Sequence, residues 1–278
     1  MRLVLRWAGF GIPYPWFGFA TRFKPSNEFV GADFFKEFAR DGQASFIRRA
    51  NAGLMGSFES LDSERFKASI VHPGIKDFYE NTSSYHMELD IKWNPFIKPF
   101  GWLYRLLYAN RIKQTMIPLD NQEFQGLDNW IETIDTDHDN KPEFRCWIRV
   151  TTDTGTPVYV GAYKVYQSQI DNFKASYVSV AFPIPGGSIT TVLSPKNFEG
   201  NGLLLTTRNR ESSEAGLYVI FPGKSSYSMI PALGLAEEFR LRPMSDVENP
   251  YIDVVHTCYW LGLTAFVMKY KISRIPEG

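Results

Sequence analysis

Strict alternation of apolar and polar side chains runs through Tyr85-His-Met-Glu-Leu-Asp-Ile-Lys-Trp93. Tyr85, Met87, Leu89, Ile91 and Trp93 fall on one face and His86, Glu88, Asp90 and Lys92 on the other, so the period of two predicts a half-buried strand. The same period returns near the end of the chain, where Phe266, Met268, Tyr270 and Ile272 oppose Lys269, Lys271 and Ser273. From residue 126 onward short alternating runs recur between Gly, Pro, Asn and Asp. They predict strands near 127–134, 143–152, 157–166, 174–183, 187–193, 202–208, 215–222, 236–242, 251–258 and 263–274. Thr152-Asp-Thr-Gly155 and Ile184-Pro-Gly-Gly187 carry the turn residues of hairpins.

Three segments repeat instead at helical spacing. Residues 27–50 place Phe34, Phe35, Phe38 and Ala39 on one side and predict an amphipathic helix interrupted near Gly42. Residues 74–80 bring together Ile75, Phe78 and Tyr79, and residues 100–116, bounded by Pro99 and Pro118, align Leu103, Leu106, Leu107 and Asn110. The pattern predicts a mainly β (α+β) protein, an antiparallel barrel or sandwich that is lipocalin-like in general architecture. A β domain over 85–278, with one inserted helix near 100–116, would carry a helical and aromatic N-terminal region, 1–84, packed over it.

Composition narrows the function classes. Aromatic residues make up 15 % and charged residues 22 % of the 278, a globular balance. Thirty basic residues match 30 acidic ones, which argues against a nucleic-acid partner, because such binding rests on phosphate neutralisation. Two cysteines, Cys146 and Cys258, exclude a disulfide scaffold and a four-cysteine zinc site and are expected as buried thiols. Residues 1–20 start with Arg2 and Arg6 but are broken by Pro13 and Pro15, which suits neither a signal peptide nor a spanning helix. Two readings stand for them: a strap over the main domain, or an aromatic segment touching a membrane surface. The expected location is therefore cytoplasmic, with membrane association through residues 1–20 as the alternative.

No phosphate loop, dinucleotide fingerprint, nucleophile elbow or HExxH occurs, so no cofactor is expected. Asp135, Asp137 and Asp139 start like a calcium loop, but Asn140 replaces the required glycine, and an acidic hairpin loop is the better reading. The histidines, His72, His86, His138 and His256, form no close pair in sequence, and no metal site is expected. His86 with Glu88, on one face of a strand, has the makings of an oriented general base, although that face reads as the solvated one. His256 lies on the apolar side of its strand with Ile252, Val254, Cys258 and Trp260, either as a core residue or projecting into a pocket. Arg145 and Arg149 flank Trp147 on one strand face, opposite Phe144, Cys146, Ile148 and Val150, which read as the core face.

Two functions follow as expectations. The first is binding of a hydrophobic small molecule or lipid in a β-barrel cavity lined by Arg149, Trp147, Trp260 and Tyr270. The second is a cofactor-independent cyclase or isomerase using that cavity, with His256 or His86 as base and Tyr163 or Glu88 as its partner.

Overall fold

The alternating runs build fourteen strands among the residues that the computed structural model describes, namely 11–12, 30–40, 45–48, 52–121, 127–135, 142–170, 173–209, 214–222, 227–244 and 250–276. In chain order these are β1 (Gly11–Ile12), β2 (Ser45–Arg48), β3 (Tyr85–Trp93), β4 (Leu127–Asp135), β5 (Phe144–Thr151), β6 (Pro157–Ile170) and β7 (Phe173–Ile184). They continue as β8 (Gly187–Phe198), β9 (Gly202–Thr206), β10 (Gly216–Pro222), β11 (Tyr227–Pro231), β12 (Leu235–Met244), β13 (Tyr251–Trp260) and β14 (Leu263–Arg274).

Every ladder is antiparallel, and neighbours run in the order β2-β4-β5-β6-β7-β8-β9-β12-β13-β14-β3, with β10, β11 and β1 branching from β8. The mainly β, antiparallel architecture expected from the sequence is what the chain forms. Among the described residues no ladder joins β2 to β3, so the sheet is open and not a closed barrel. Its two halves meet at β8, whose first part pairs with β7 up to Leu193↔Val178 and whose last part pairs with β9 from Ser194↔Thr206. The sequence pattern ended this strand at 193 because Pro195 lacks a donor. Pro195 sits just past the last residue paired with β7, where a strand tolerates that loss.

Inward faces of both halves share one core. Met87 and Ile91 of β3, Phe266, Met268, Tyr270 and Ile272 of β14, and Ile252 and Val254 of β13 meet Ile131, Trp147, Val178 and Val180 from the other half. Residues 52–84 fill one end of this space with Leu54, Met55, Phe58, Leu61, Phe66, Val71, Ile75 and Phe78. Within that segment α1 (Pro73–Glu80) starts on Pro73, whose missing N–H costs nothing at a first helical position. The Nδ1 of His72 accepts from the Gly74 amide at 3.1 Å, which makes this histidine a helix cap. Thr82 ties the helix end to the incoming chain: its hydroxyl donates to the Phe78 carbonyl at 2.7 Å and accepts from the Leu54 amide at 3.2 Å.

Two expectations about helices change. Among the described residues of 27–50 the α-helix spans Phe34–Phe38, while Ser45–Arg48 becomes β2 and pairs with β4. A run as short as Ser-Phe-Ile-Arg fits either period, and edge pairing decides it. Phe34, Phe35 and Phe38 pack on the far side of β4–β6 against Ile134, Phe144, Cys146, Ile148 and Val160, so β5 and β6 are buried on both faces.

The helix predicted over 100–116 is present as α2 (Lys98–Tyr104), a π-helical stretch Arg105–Ala109, and α3 (Asn110–Ile112), ended by Lys113 at φ 49°. Its leucine stripe, however, faces out: Leu103, Leu106 and Leu107 are 43 %, 49 % and 58 % exposed, while Ala109 and Ile112 are buried. The π stretch shifts the helical phase. Gly101 fixes the side that rests on the sheet, since a Cβ there would stand 2.4 Å from the Trp93 ring. No helix among the described residues is long and apolar enough to cross a membrane. Of residues 1–20 only Gly11–Ile12 is described, paired with β11, so the strap or membrane reading lies otherwise outside the described residues.

Candidate functional site

The walls of the shared interior are set by register. On β5 and β6, Arg149 lies opposite Tyr159, Trp147 opposite Gly161 and Arg145 opposite Tyr163. Alternation then sends Trp147, Arg149, Tyr159 and Tyr163 inward, while Phe144, Cys146, Ile148 and Val160 face the Phe34–Phe38 helix. The expectation that the arginines of β5 face solvent is thereby overturned, because both faces of this strand are covered. Arg145 reaches the carbonyl of Gly53 at 3.1 Å. Arg149 is buried, with its guanidinium carbon 4.6 Å from the Trp147 ring centre and 4.5 Å from that of Tyr159. Its Nε is buried and has no hydrogen-bond partner. Gly161 leaves the room for the Tyr159 ring, which a Cβ would meet at 2.9 Å, and the Tyr159 and Tyr163 hydroxyls stand 2.5 Å apart.

The opposite wall comes from β12, β13 and β14. Pairing sets Glu237 opposite Cys258 and Phe239 opposite His256, and on the other side of β13 places His256 beside Met268. The imidazole stacks on Phe239 with centres 3.7 Å apart and planes at 16°. Its Nε2 lies 2.9 Å from Glu237 Oε2 and 3.2 Å from Cys258 Sγ, while Nδ1 is buried without a partner. One donor atom each from Glu237, His256 and Cys258 falls within 4.8 Å of the others, a spacing that suits a metal ion.

The two walls feel one another. Burial raises the Tyr270 phenol on β14, and the charge of Arg149 on β5 opposes that rise. Burial also pushes Tyr159 up, with Arg149 opposing, and lifts Tyr163 well above the usual phenol range, with Tyr159 adding to the rise. Glu237 raises Tyr159 and Tyr163 from the opposite wall and Tyr270 from its own, and burial with Glu237 pushes the Cys258 thiol up. Low polarity strengthens every such interaction, which is why these groups act as one cluster.

Six of the residues singled out in the sequence, His256, Tyr163, Arg149, Trp147, Trp260 and Tyr270, face this interior. Trp260 stands at its edge against Phe100 of α2, with ring centres 5.3 Å apart. His86 and Glu88 do not join them. Both are exposed on the outer face of β3, whose other face supplies the core residues, so the pair has no enclosed space in which to act. Arg240 and Arg242 also face out, bonded to Glu238 at 2.9 Å and Glu199 at 3.5 Å. Both thiols are free, Cys146 beneath the Phe34–Phe38 helix and Cys258 in the cluster. The acidic loop read as calcium-like lies mostly outside the described residues, and Asp135 closes β4 as a buried residue.

Sequence reasoning missed Glu237. Glu237 shares strand phase with Phe239 and Leu241, and a carboxylate on that apolar face was the available signal. It was masked by its neighbour Glu238, which points outward.

Fold and site together define an antiparallel β protein with a cluster of ionisable and aromatic side chains enclosed between the two halves of its sheet. No known protein family and no solved structure matches the chain. It is similar to the "Uncharacterized membrane protein YndJ" of Bacillus subtilis (strain 168), at 24 % identity over 248 residues that make up 89 % of this chain. The chain spans 42 % of that relative's length.

Proposed function

We propose that the chain binds a hydrophobic small molecule or lipid between the two halves of its sheet, with Arg149 anchoring a polar or acidic head, and that it does so beside a membrane surface. The observation that carries this reading is Arg149 itself: a buried guanidinium, stacked on two aromatic rings, with an unpartnered Nε. A buried cation is costly unless it meets an anion or a full set of acceptors. A carboxylate or phosphate head would supply both.

Uneven burial of the inward side chains supports a recess. Val178, Leu203 and Phe58 are almost wholly buried, whereas Tyr159, Tyr163, Phe182, Phe239 and Trp260 point inward yet keep accessible surface. Near Trp260 the molecule exposes a run of apolar side chains: Phe96, Phe100, Trp102, Leu106 and Leu107 on and before the helix, and Leu261, Leu263, Leu233 and Leu235 on two joined turns. Between residues 96 and 116 the charged side chains are Lys98, Arg105, Arg111 and Lys113, with no Asp or Glu. Apolar side chains rimmed by cations suit an anionic lipid surface. The relative's printed name, a membrane protein, agrees with that placement.

Native mass spectrometry of the purified chain, followed by organic extraction, tests the binding reading: a stoichiometric amphiphile is expected, and its loss in Arg149→Met. A second reading, a cofactor-independent enzyme, is favoured by one contact set. Glu237 Oε2 and Cys258 Sγ both approach the Nε2 of His256, so a carboxylate, an imidazole and a thiol share one point through which a proton could pass. Turnover of the extracted compound that collapses in His256→Gln while binding persists would select it.

A further inference from the structure

We infer that Glu237, His256 and Cys258 form a binding site for a divalent metal ion of the zinc class, with a fourth coordination position left for a ligand from outside the chain. One ring nitrogen of His256 has more polar neighbours than it can satisfy. In a neutral imidazole Nε2 holds either a proton or a lone pair, so it satisfies one polar neighbour by hydrogen bonding. Here two electron-rich atoms crowd it, Glu237 Oε2 at 2.9 Å and Cys258 Sγ at 3.2 Å. With Nε2–H donating to the carboxylate, the sulfur is left facing a spent donor. With the thiol donating to Nε2, an ionised carboxylate faces the ring edge without a proton between them. A cation at the point where the three lone pairs converge removes the conflict.

Geometry and donor type agree with that ion. The three atoms lie within 4.8 Å of one another. A tetrahedral zinc ion, with bonds of about 2.0–2.3 Å, separates its ligand atoms by roughly 3.3–3.8 Å. Both neighbours stand inside that spacing from Nε2, the sulfur at 3.2 Å and the carboxylate at 2.9 Å, and reach it by backing off about half an ångström or less. One carboxylate, one imidazole and one thiolate form a borderline-soft set that suits zinc and disfavours calcium or magnesium. The site is built on paired strands, with His256 and Cys258 two residues apart on β13 and Glu237 directly across the ladder, so the backbone fixes all three. Only 9 % of the His256 side chain is exposed, and Phe239 stacks on its ring. On binding, the ion takes the place of the Cys258 thiol proton, which leaves to solvent as metal–sulfur bonding begins.

Three protein ligands leave a position for water or for an oxygen of a bound molecule. The proposal does not depend on amphiphile binding, because all three ligand atoms belong to the chain.

The test strips the purified full chain with a chelator, confirms the fold by circular dichroism, and titrates it with zinc and then cobalt(II) ions alone. One equivalent of zinc surviving dialysis, and a thiolate-to-cobalt charge-transfer band with tetrahedral d–d absorption, is the expected result. Cys258→Ser should abolish the charge-transfer band, and Glu237→Gln should weaken zinc by more than roughly tenfold, while Cys146→Ser changes neither. A folded wild-type chain that retains no zinc and gives no charge-transfer band overturns the proposal. So does zinc held equally well by Cys258→Ser and Glu237→Gln. No amphiphile is present in the titration, so its failure is separable from failure of the lipid-binding reading.

Discussion

The interior has two ends built by the same alternation and filled in opposite ways. Under residues 52–84, Phe58, Leu61, Ile75, Val178 and Leu203 leave at most 1 % of their surface exposed and pack on other apolar side chains. Toward Trp260, side chains on the same strand faces are Arg149, Tyr159, Tyr163, Glu237, His256 and Cys258, and several keep contact with solvent. The first end is closed by an inserted segment whose backbone is pinned to itself, as at Gly53, where a Cβ would stand 2.1 Å from the Glu80 backbone. No such segment covers the second among the described residues. Stability and chemistry are thus divided along the length of shared strands.

The largest effect expected from this division is at the packed end. Phe58→Ala or Phe78→Ala removes a buried ring that the surrounding strands cannot replace, and should cost about 3–5 kcal/mol in urea unfolding. A similar cost for Phe239→Ala, at the polar end, would erase the distinction. Next in size is Arg149→Met. Replacing an isolated buried cation by an apolar chain of similar length is neutral to stabilising by about 1–4 kcal/mol, so thermal unfolding should move up or stay, while binding of an acidic-headed amphiphile disappears.

Alkaline titration probes burial at both ends. Burial lifts Tyr79 above the usual phenol range, with Tyr163 adding to the effect, and burial followed by Asp77 lifts Tyr85. A phenol whose folded pKa is raised contributes stability that is fully present below its unfolded pKa of about 10 and is lost as pH climbs beyond it. Stability should therefore fall above about pH 10, and ultraviolet absorbance should show these phenols ionising together with unfolding. Ionisation of every tyrosine while the fold persists would contradict their burial. The smallest change in stability belongs to the outward helix. Leu106→Glu with Leu107→Glu should alter unfolding by no more than about 0.5 kcal/mol, yet abolish co-sedimentation with anionic vesicles.

Strand positions were legible because a half-buried strand writes its period of two into the chain, and β3 and β14 kept the predicted faces residue for residue. Strand β5 was harder. Both of its faces are covered, one by Phe34–Phe38 and one by the opposite half of the sheet, and alternation cannot rank two buried faces. The same gap explains the site. His256 and Arg149 stood out as polar residues within apolar runs, but their convergence depends on the two halves of the sheet packing on one another, which brings together residues more than 100 apart in sequence, such as Arg149 and Tyr270. Helix 98–112 misled for a local reason: a leucine stripe declares an apolar face without saying what covers it, and a glycine against Trp93 chose the other side.

The most direct test of the account is native mass spectrometry of the purified chain beside Arg149→Met, with extraction and identification of whatever is released. The account predicts a stoichiometric amphiphile bearing an acidic or polar head on the wild type, absent from a variant that remains folded. An equal load on both proteins, or a wild type that takes up no amphiphile even when offered anionic lipid vesicles, would contradict it.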